Sequence, residues 1–477
     1  MASVTFPTRL GGSGITITDD ASPETGLANG GHRERFLPAL KGTVAMAEYV
    51  YQYAAKIDGA AEDAERAEEA RGYVEAYAGA LKSNIHAHYD QLATLKFSFA
   101  RGRYQLDEGG ERTDTTVPSD LMTISRSGTK WVERPNRTIH ERLADTLARQ
   151  WKHGVSKGAL VEPSRTNYFL DSTDYVNNFS VTQNNVTKTP NATTAPDGSL
   201  TGCLVEGSTS VSISTSADTF YIVGQSVPAG DVSGAIYLKK HPDGPSVIDT
   251  RFRALGDGID EFEQFELTDD WQYLDVGSIT STVESGFRIH VGGNAKFYVW
   301  HANIEDGDSP SSPIITQDTT VTRAADTITR TLGNEYNPNG FSVYAEGRQT
   351  SATGTVIYLY SSGLDNSIRV GLPSNSDNVL FVSTGSSLQA VIPLSDFPDF
   401  TPGDSARLLL SVDPPNNTVR LTLNGVTVSR SVNEFPVIDT LRVGGVSGNN
   451  NNINGTVGDV TMYPIVLTQS QAEEMTA

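Results

Sequence analysis

Three groups of residues have types and spacings that could do chemistry. Trp271, Tyr273, Tyr298 and Trp300 lie in short alternating runs, and aromatic faces stack on sugar rings while Asn, Asp and Gln fix the hydroxyls. The polar run from Gly448 to Gly455 carries Asn449, Asn450, Asn451 and Asn452, amides suited to a glycan at a loop tip. Its other reading is a solvated turn. His88 falls within a heptad pattern, where imidazoles repeated around an oligomer axis would bind an anion or metal, or respond to pH. The alternative for His88 is a hydrated core position that fixes register.

Motifs for covalent or phosphoryl chemistry are missing. There is no Gly-X-Ser-X-Gly elbow, no His-Glu-X-X-His, no P-loop and no dinucleotide fingerprint. A glycosidase needs two carboxylates across a cleft, and the 57 acidic residues single out no pair. The expectation is a protein that is not an enzyme and has no cofactor. The acidic residues Asp171 and Asp174, Asp257 and Asp260, and Asp306 and Asp308 lack EF-hand spacing, so a structural calcium has no site that can be named. Cys203 is the lone cysteine, which rules out an intrachain disulfide framework and a zinc cluster built on several thiolates.

A net charge of −21 opposes a general grip on nucleic acid and adsorption to anionic lipid. The first twenty residues lack the charged start and apolar core of a secretory signal, and no apolar run approaches a membrane span. Assembly in the cytosol, or carriage within a larger particle, is expected.

The elements that would position these groups fall into two textures. From Met46, steps of four and three give Val50, Tyr53, Ile57, Ala60, Ala64, Ala67, Arg71, Val74, Ala78, Leu81, Ile85, His88, Leu92 and Leu95. Apart from Arg71 and His88 this is an apolar seam, and a sustained seven-residue period predicts a supercoiled oligomeric stalk over 41–97, roughly 75 Å long. Its alanine-rich middle, with Gly59, Gly72 and Gly79, makes it a weak one. The heptads alone leave dimer and trimer open.

Hydrophobic residues make up only 37% of the chain, and from about residue 165 short alternating runs are broken by Gly, Pro, Asn and Asp. These predict antiparallel β-sandwiches. Asn424-Gly425 predicts a type I′ hairpin turn. Residues 98–165 form a connector in which 137–154, with Ile139, Leu143, Leu147 and Trp151 on one face, reads as an amphipathic helix. The fold class is mainly β: a coiled-coil stalk followed by two antiparallel jelly-roll sandwiches, 166–330 and 331–477.

Two stretches carry a family resemblance. Gly158-Ala-Leu-Val-Glu162 followed by Arg165-Thr-Asn167, then Ile304-Glu-Asp-Gly307 and Thr322-Arg-Ala-Ala-Asp326, resembles a module of tailed-bacteriophage tail-fibre and virion proteins. That module is a jelly roll similar to carbohydrate-binding modules. The C-terminal strands, with the Asn-Gly turn, Gly444-Gly445, Gly455-Thr-Val-Gly-Asp-Val460 and a final short helix, resemble a concanavalin-like, laminin-G-like sandwich. The resemblance implies a homotrimeric virion fibre or spike. Residues 1–40 would attach it to a tail, collar or capsid protein, and the sandwiches would meet host surface polysaccharide. In the resembled module Trp271 and Trp300 look like core residues. A purely structural head or collar fibre and a polysaccharide-degrading spike are the alternatives.

Overall fold

The structure is a computed structural model. It describes residues 3–8, 13–28, 34–48, 89–152, 154–174, 186–207, 220–292, 296–351, 354–361, 363–373, 378–385, 387–446 and 452–477. The chain divides into two compact units, Met1–Tyr77 and Ala78–Ala477.

In the first unit, strands Ser3–Thr5 and Thr16–Thr18 pair antiparallel, and residues 34–48 are helical. Phe6 and Ile17 are buried there. Gly42 meets the Phe6 ring so closely that a Cβ would stand 2.8 Å from it. Met46 is half-buried on the helix. Val50, Tyr53, Ile57, Ala60, Ala64, Ala67, Arg71, Val74, Ala78, Leu81, Ile85 and His88 lie outside the described residues.

The end of the expected stalk is different. Leu92 is exposed in a turn closed by its N–H on the Tyr89 carbonyl (2.9 Å), and Leu95 opens the strand Leu95–Ser98. There Leu95 and Phe97 enter a core while Lys96 between them is only half-buried. A two-residue period thus takes over where the heptads were expected to continue.

The second unit is mainly β. A 10-stranded antiparallel sheet runs in the order Val426–Ser431, Thr418–Leu423, Ser405–Asp413, Phe341–Gln349, Gly455–Tyr463, Leu95–Ser98, Arg103–Glu108 and Glu111–Thr115. Val155–Val161 also pairs with Gly455–Tyr463, and Arg149–Lys152 pairs with Val155–Val161. The facing seven-stranded sheet runs Ser387–Pro393, Asn378–Thr384, Gly363–Gly371, Thr355–Ser361, Thr440–Val443, Thr327–Thr331 and Thr123–Ser125. One apolar core lies between them, holding Leu95, Phe97, Ala159, Val161, Ile328, Leu408 and Val460 among others. Burying each large side chain of this kind stabilises by about 1.5–3 kcal/mol. The helix Gln469–Thr476, fixed by a capping box on Thr468, follows the last strand.

This frame corrects the expected partition. Residues 98–165 are not a separate connector, and the last sandwich does not begin at 331. Both stretches belong to one frame sandwich, interrupted by an insert that runs from Arg165 to Arg323. The insert packs a seven-stranded sheet, which includes Gly230–Lys240, Gln272–Ser281 and Lys296–Asp306, against a four-stranded one. The second sheet is Phe220–Val223, Phe287–Gly292, Val247–Ala254 and Asp260–Glu266, and the insert's own core contains Phe169, Ile236, Phe252 and Val299.

The expected helix over 137–154 is absent as well. Ile139–Arg142 and Arg149–Lys152 are strands, and Arg137 and Asp145 have positive φ. The carbonyls of Leu143 and Thr146 accept from the buried Arg126 guanidinium (2.7 and 3.3 Å), bonds that a helix would have kept for itself. Leu143 is 67% exposed, so the four-residue spacing of apolar side chains has no common face. The turn at Asn424-Gly425 takes the expected form, with φ of 46° and 83°.

Candidate functional site

The motif residues assemble first into a splice. Arg165–Asn167 leaves the frame and Val321–Arg323 returns to it, paired antiparallel with Arg165 opposite Arg323. Glu162, 2% exposed, sits beside this pair. It contacts Lys130 Nζ at 2.8 Å and Arg323 Nη2 at 3.0 Å, and accepts from the Ser312 N–H and hydroxyl at 2.6 and 2.8 Å. Burial alone would raise the Glu162 carboxyl, but Arg323 and Lys130 outweigh it and hold it at about 2. Asp326 closes the cluster: it meets Arg126 Nη1 at 2.9 Å, pairs with Lys130, and accepts the Glu162 N–H at 2.8 Å.

Two glycines of the motifs have steric reasons. At Gly158 (φ 93°) a Cβ would stand 2.1 Å from the Val457 carbonyl oxygen, and at Gly307 (φ 121°) 2.2 Å from the Arg165 guanidinium. Asn167 is used up inside the insert. Its amide nitrogen donates to the carbonyls of Ala302 and Ile314 (3.1 and 2.8 Å), and its oxygen accepts the N–H groups of Phe169 and Ile304 (both 3.0 Å).

The expected glycan residues fare differently. Asn452 is fully buried and donates to the carbonyls of Glu162 and Asp326 (2.9 and 2.8 Å), so it is a tie within the splice and presents no surface to a sugar. Asn449, Asn450 and Asn451 lie outside the described residues. Trp300 is fully buried, its indole N–H on Thr201 Oγ1 at 3.0 Å. Tyr298 packs its ring 5.2 Å from His241.

Trp271 and Tyr273 are half-buried and reach a cleft of about 630 Å³ between insert and frame. The Trp271 indole N–H donates to the Thr194 carbonyl (2.9 Å) and the Tyr273 hydroxyl to the Ser311 carbonyl (3.0 Å), which fixes both rings. The Tyr237 ring lies tilted 4.7 Å from Tyr273 and meets Trp300 edge-on at 5.4 Å, tying the cleft wall to the buried aromatic cluster. Trp131 lines the same cleft from Lys130–Glu133. Strand alternation sends Lys130 and Val132 inward and leaves Trp131 half-buried.

The cleft is therefore walled by Trp131, Trp271 and Tyr273, with Gln150, Ser156 and Glu133 among its polar groups. Flat apolar faces beside hydrogen-bonding side chains suit a chain of sugar rings. Trp131, Gln150 and Ser156 were missed because their stretch reads as connector and helix, and no local pattern signals a wall built against Trp271 and Tyr273, 115 to 142 positions away. Among the described residues no group of three or more His, Cys, Asp or Glu side chains converges as metal ligands would.

No family model and no curated protein matches the chain in sequence. Solved structures similar to parts of it include the CBM40 module of the Ruminococcus gnavus IT-sialidase bound to α2,3-sialyllactose, at 14% identity and TM-score 0.25 over 30% of this chain and 84% of that one. The leech intramolecular trans-sialidase with 2,7-anhydro-Neu5Ac is 16% identical at TM-score 0.25, over 29% of this chain and 23% of that one. Domain 4 of AbnA, a GH43 extracellular arabinanase from Geobacillus stearothermophilus, in complex with arabinotriose, is 17% identical at TM-score 0.27, over 35% of this chain and 82% of that one. Likenesses of this strength carry no argument about what this chain binds.

Proposed function

We propose that the chain is a virion fibre or spike of a tailed bacteriophage, a tail fibre in the first instance, that binds host-cell-surface polysaccharide without cleaving it. In this reading residues 1–40 attach to a tail, collar or capsid protein, and the heptads from Met46 to His88 join three copies as a coiled-coil stalk. The single observation that carries the binding role is the cleft walled by Trp131, Trp271 and Tyr273, the last two with their rings fixed by hydrogen bonds to the Thr194 and Ser311 carbonyls. The virion setting rests on the resemblance of Gly158–Asn167 and Thr322–Asp326 to the phage module.

An array of host capsule and O-antigen polysaccharides, probed with the full chain, tests the proposal. Binding that Trp131→Ala abolishes is the expected result. Absence of binding to every polysaccharide and to host cells would leave a structural fibre in its place. Release of reducing ends from a bound polysaccharide would make it a degrading spike.

A further inference from the structure

We infer that the cleft between insert and frame takes an anionic glycan, a sugar chain carrying carboxylate or sulfate groups. This rests on the reading of that cleft as a glycan site and names the class of sugar.

Charge around the cleft is the first observation. Lys152 and Lys157, both exposed, reach it from the hairpin Arg149–Lys152 and Val155–Val161, and Arg348, also exposed, reaches it from Phe341–Gln349. Arg348 donates Nε–H to the Gly403 carbonyl (2.8 Å), and among the described residues none of the three has an ion-pair partner. The acidic lining is largely committed. Glu162 is neutralised by Lys130 and Arg323. Glu346 accepts the Tyr344 hydroxyl at 2.7 Å and lies 3.9 Å from Arg407. Three cations then face Glu133 at the cleft of a chain whose net charge is −21. Scattered surface lysines need no ligand. Here they cluster beside aromatic walls, against the sign of the whole molecule.

The second observation is independent of charge. Gln150 and Ser156 line the cleft, and among the described residues their buried Oε1 and Oγ atoms have no hydrogen-bond partner. A buried polar atom left without a partner is destabilising, so these two are suited to groups brought by a ligand. Sugar hydroxyls can donate to the amide oxygen and either donate to or accept from the serine. Sulfate or chloride offers no donor for Gln150 Oε1. An apolar ligand offers neither. Ring stacking, hydroxyl bonding and anion pairing together describe a carboxylated or sulfated sugar chain.

Calorimetry on the full chain tests this with three probes: oligogalacturonate for carboxylate, dextran sulfate for sulfate, and dextran as the neutral chain. One or both anionic probes should bind more tightly than dextran. Lys152→Gln with Lys157→Gln should lower that affinity about tenfold, as two lost surface ion pairs imply, and leave dextran unchanged. Both lysines are exposed, so the melting temperature of the double variant should match the parent and serves as the folding control. Dextran binding as tight as the anionic probes, or anionic affinity unmoved by the double variant, would overturn the inference while the glycan site stands. No binding of any probe, together with no binding of the parent chain anywhere on the polysaccharide array, would sink the underlying reading as well.

Discussion

Asn452 and Glu162 lie 290 residues apart in sequence and are joined by a hydrogen bond of 2.9 Å from the asparagine amide to the glutamate carbonyl. The same nitrogen donates to the Asp326 carbonyl, so one side chain holds both stretches flanking the insert. Asn452→Ala removes two buried hydrogen bonds, at about 0.5–1.5 kcal/mol for each, while the Glu162 carbonyl keeps the Asp326 N–H (3.0 Å) and the Asp326 carbonyl keeps Arg442 Nη2 (3.5 Å). The melting temperature should fall and proteolytic nicking near 162 and 326 should rise, while an Asn452 acting as a sugar ligand would show instead as lost binding at unchanged stability.

Glu162 answers two cations in a site closed to water. Its replacement by Gln keeps the shape and removes the carboxylate paired with the buried Arg323, while Lys130 keeps Asp326. Breaking one side of a buried ion cluster costs about 3–5 kcal/mol. A denaturation midpoint lowered to match is expected for Glu162→Gln, and a midpoint within error of the parent would show that the cluster is not what holds the splice.

Glu305 sits fully buried next to Ser311, whose N–H and hydroxyl both reach its carboxyl. Burial raises its pKa, and the Ser311 N–H, Arg165 and Arg323 lower it, with a net position of about 7. A folded pKa above the unfolded value near 4.5 means that the folded state holds the proton more tightly. The contribution is therefore complete below pH 4.5 and is lost as pH rises through 7, by about 3 kcal/mol in all. Measured stability relative to Glu305→Gln should fall across that window. A flat difference would show that Glu305 titrates normally. His301 works in the other direction: burial lowers it to about 3, so its contribution is present above pH 6.5 and is lost on acidification toward 3. The two groups are separable by comparing Glu305→Gln with His301→Gln.

Two tryptophans of the same aromatic neighbourhood should behave as opposites. Trp300 is fully buried, and Trp300→Ala should cost about 3–5 kcal/mol of stability. Trp131 is half-buried in the cleft wall, so Trp131→Ala should leave the melting temperature within a few degrees and reduce polysaccharide binding more than tenfold. Equal effects of both substitutions on binding would place the sugar elsewhere.

The strands of both sandwiches were legible as short apolar-rich runs between turn residues, as in Phe341–Gln349 and Lys296–Asp306, and the turn at Asn424-Gly425 was legible from its φ requirement alone. Ile139, Leu143, Leu147 and Trp151 misled because a spacing of four fits a helix face as readily as two strands and a loop. What separates the two is the demand of Arg126 for loop carbonyls, and that arises from tertiary packing. The interrupted frame was illegible for a related reason. Val155–Val161 pairs with Gly455–Tyr463 across nearly 300 residues, and neither strand carries a mark of its partner. Glu162 and Asp326 stood out through resemblance, yet their task of neutralising Lys130, Arg126 and Arg323 required the fold.

The pairing of Arg165 with Arg323 sets the two ends of the insert on neighbouring strands. A segment that enters and leaves at one place works as a cartridge, and recombination can replace it while the frame keeps its hydrogen-bonded ladder. Only one side of the cleft travels with it, the side bearing Trp271 and Tyr273. Trp131, Lys152 and Lys157 stay behind with the frame. Each exchange would therefore change half of a recognition surface and conserve the other half, so diversity in what such a protein reads would come in increments rather than wholesale.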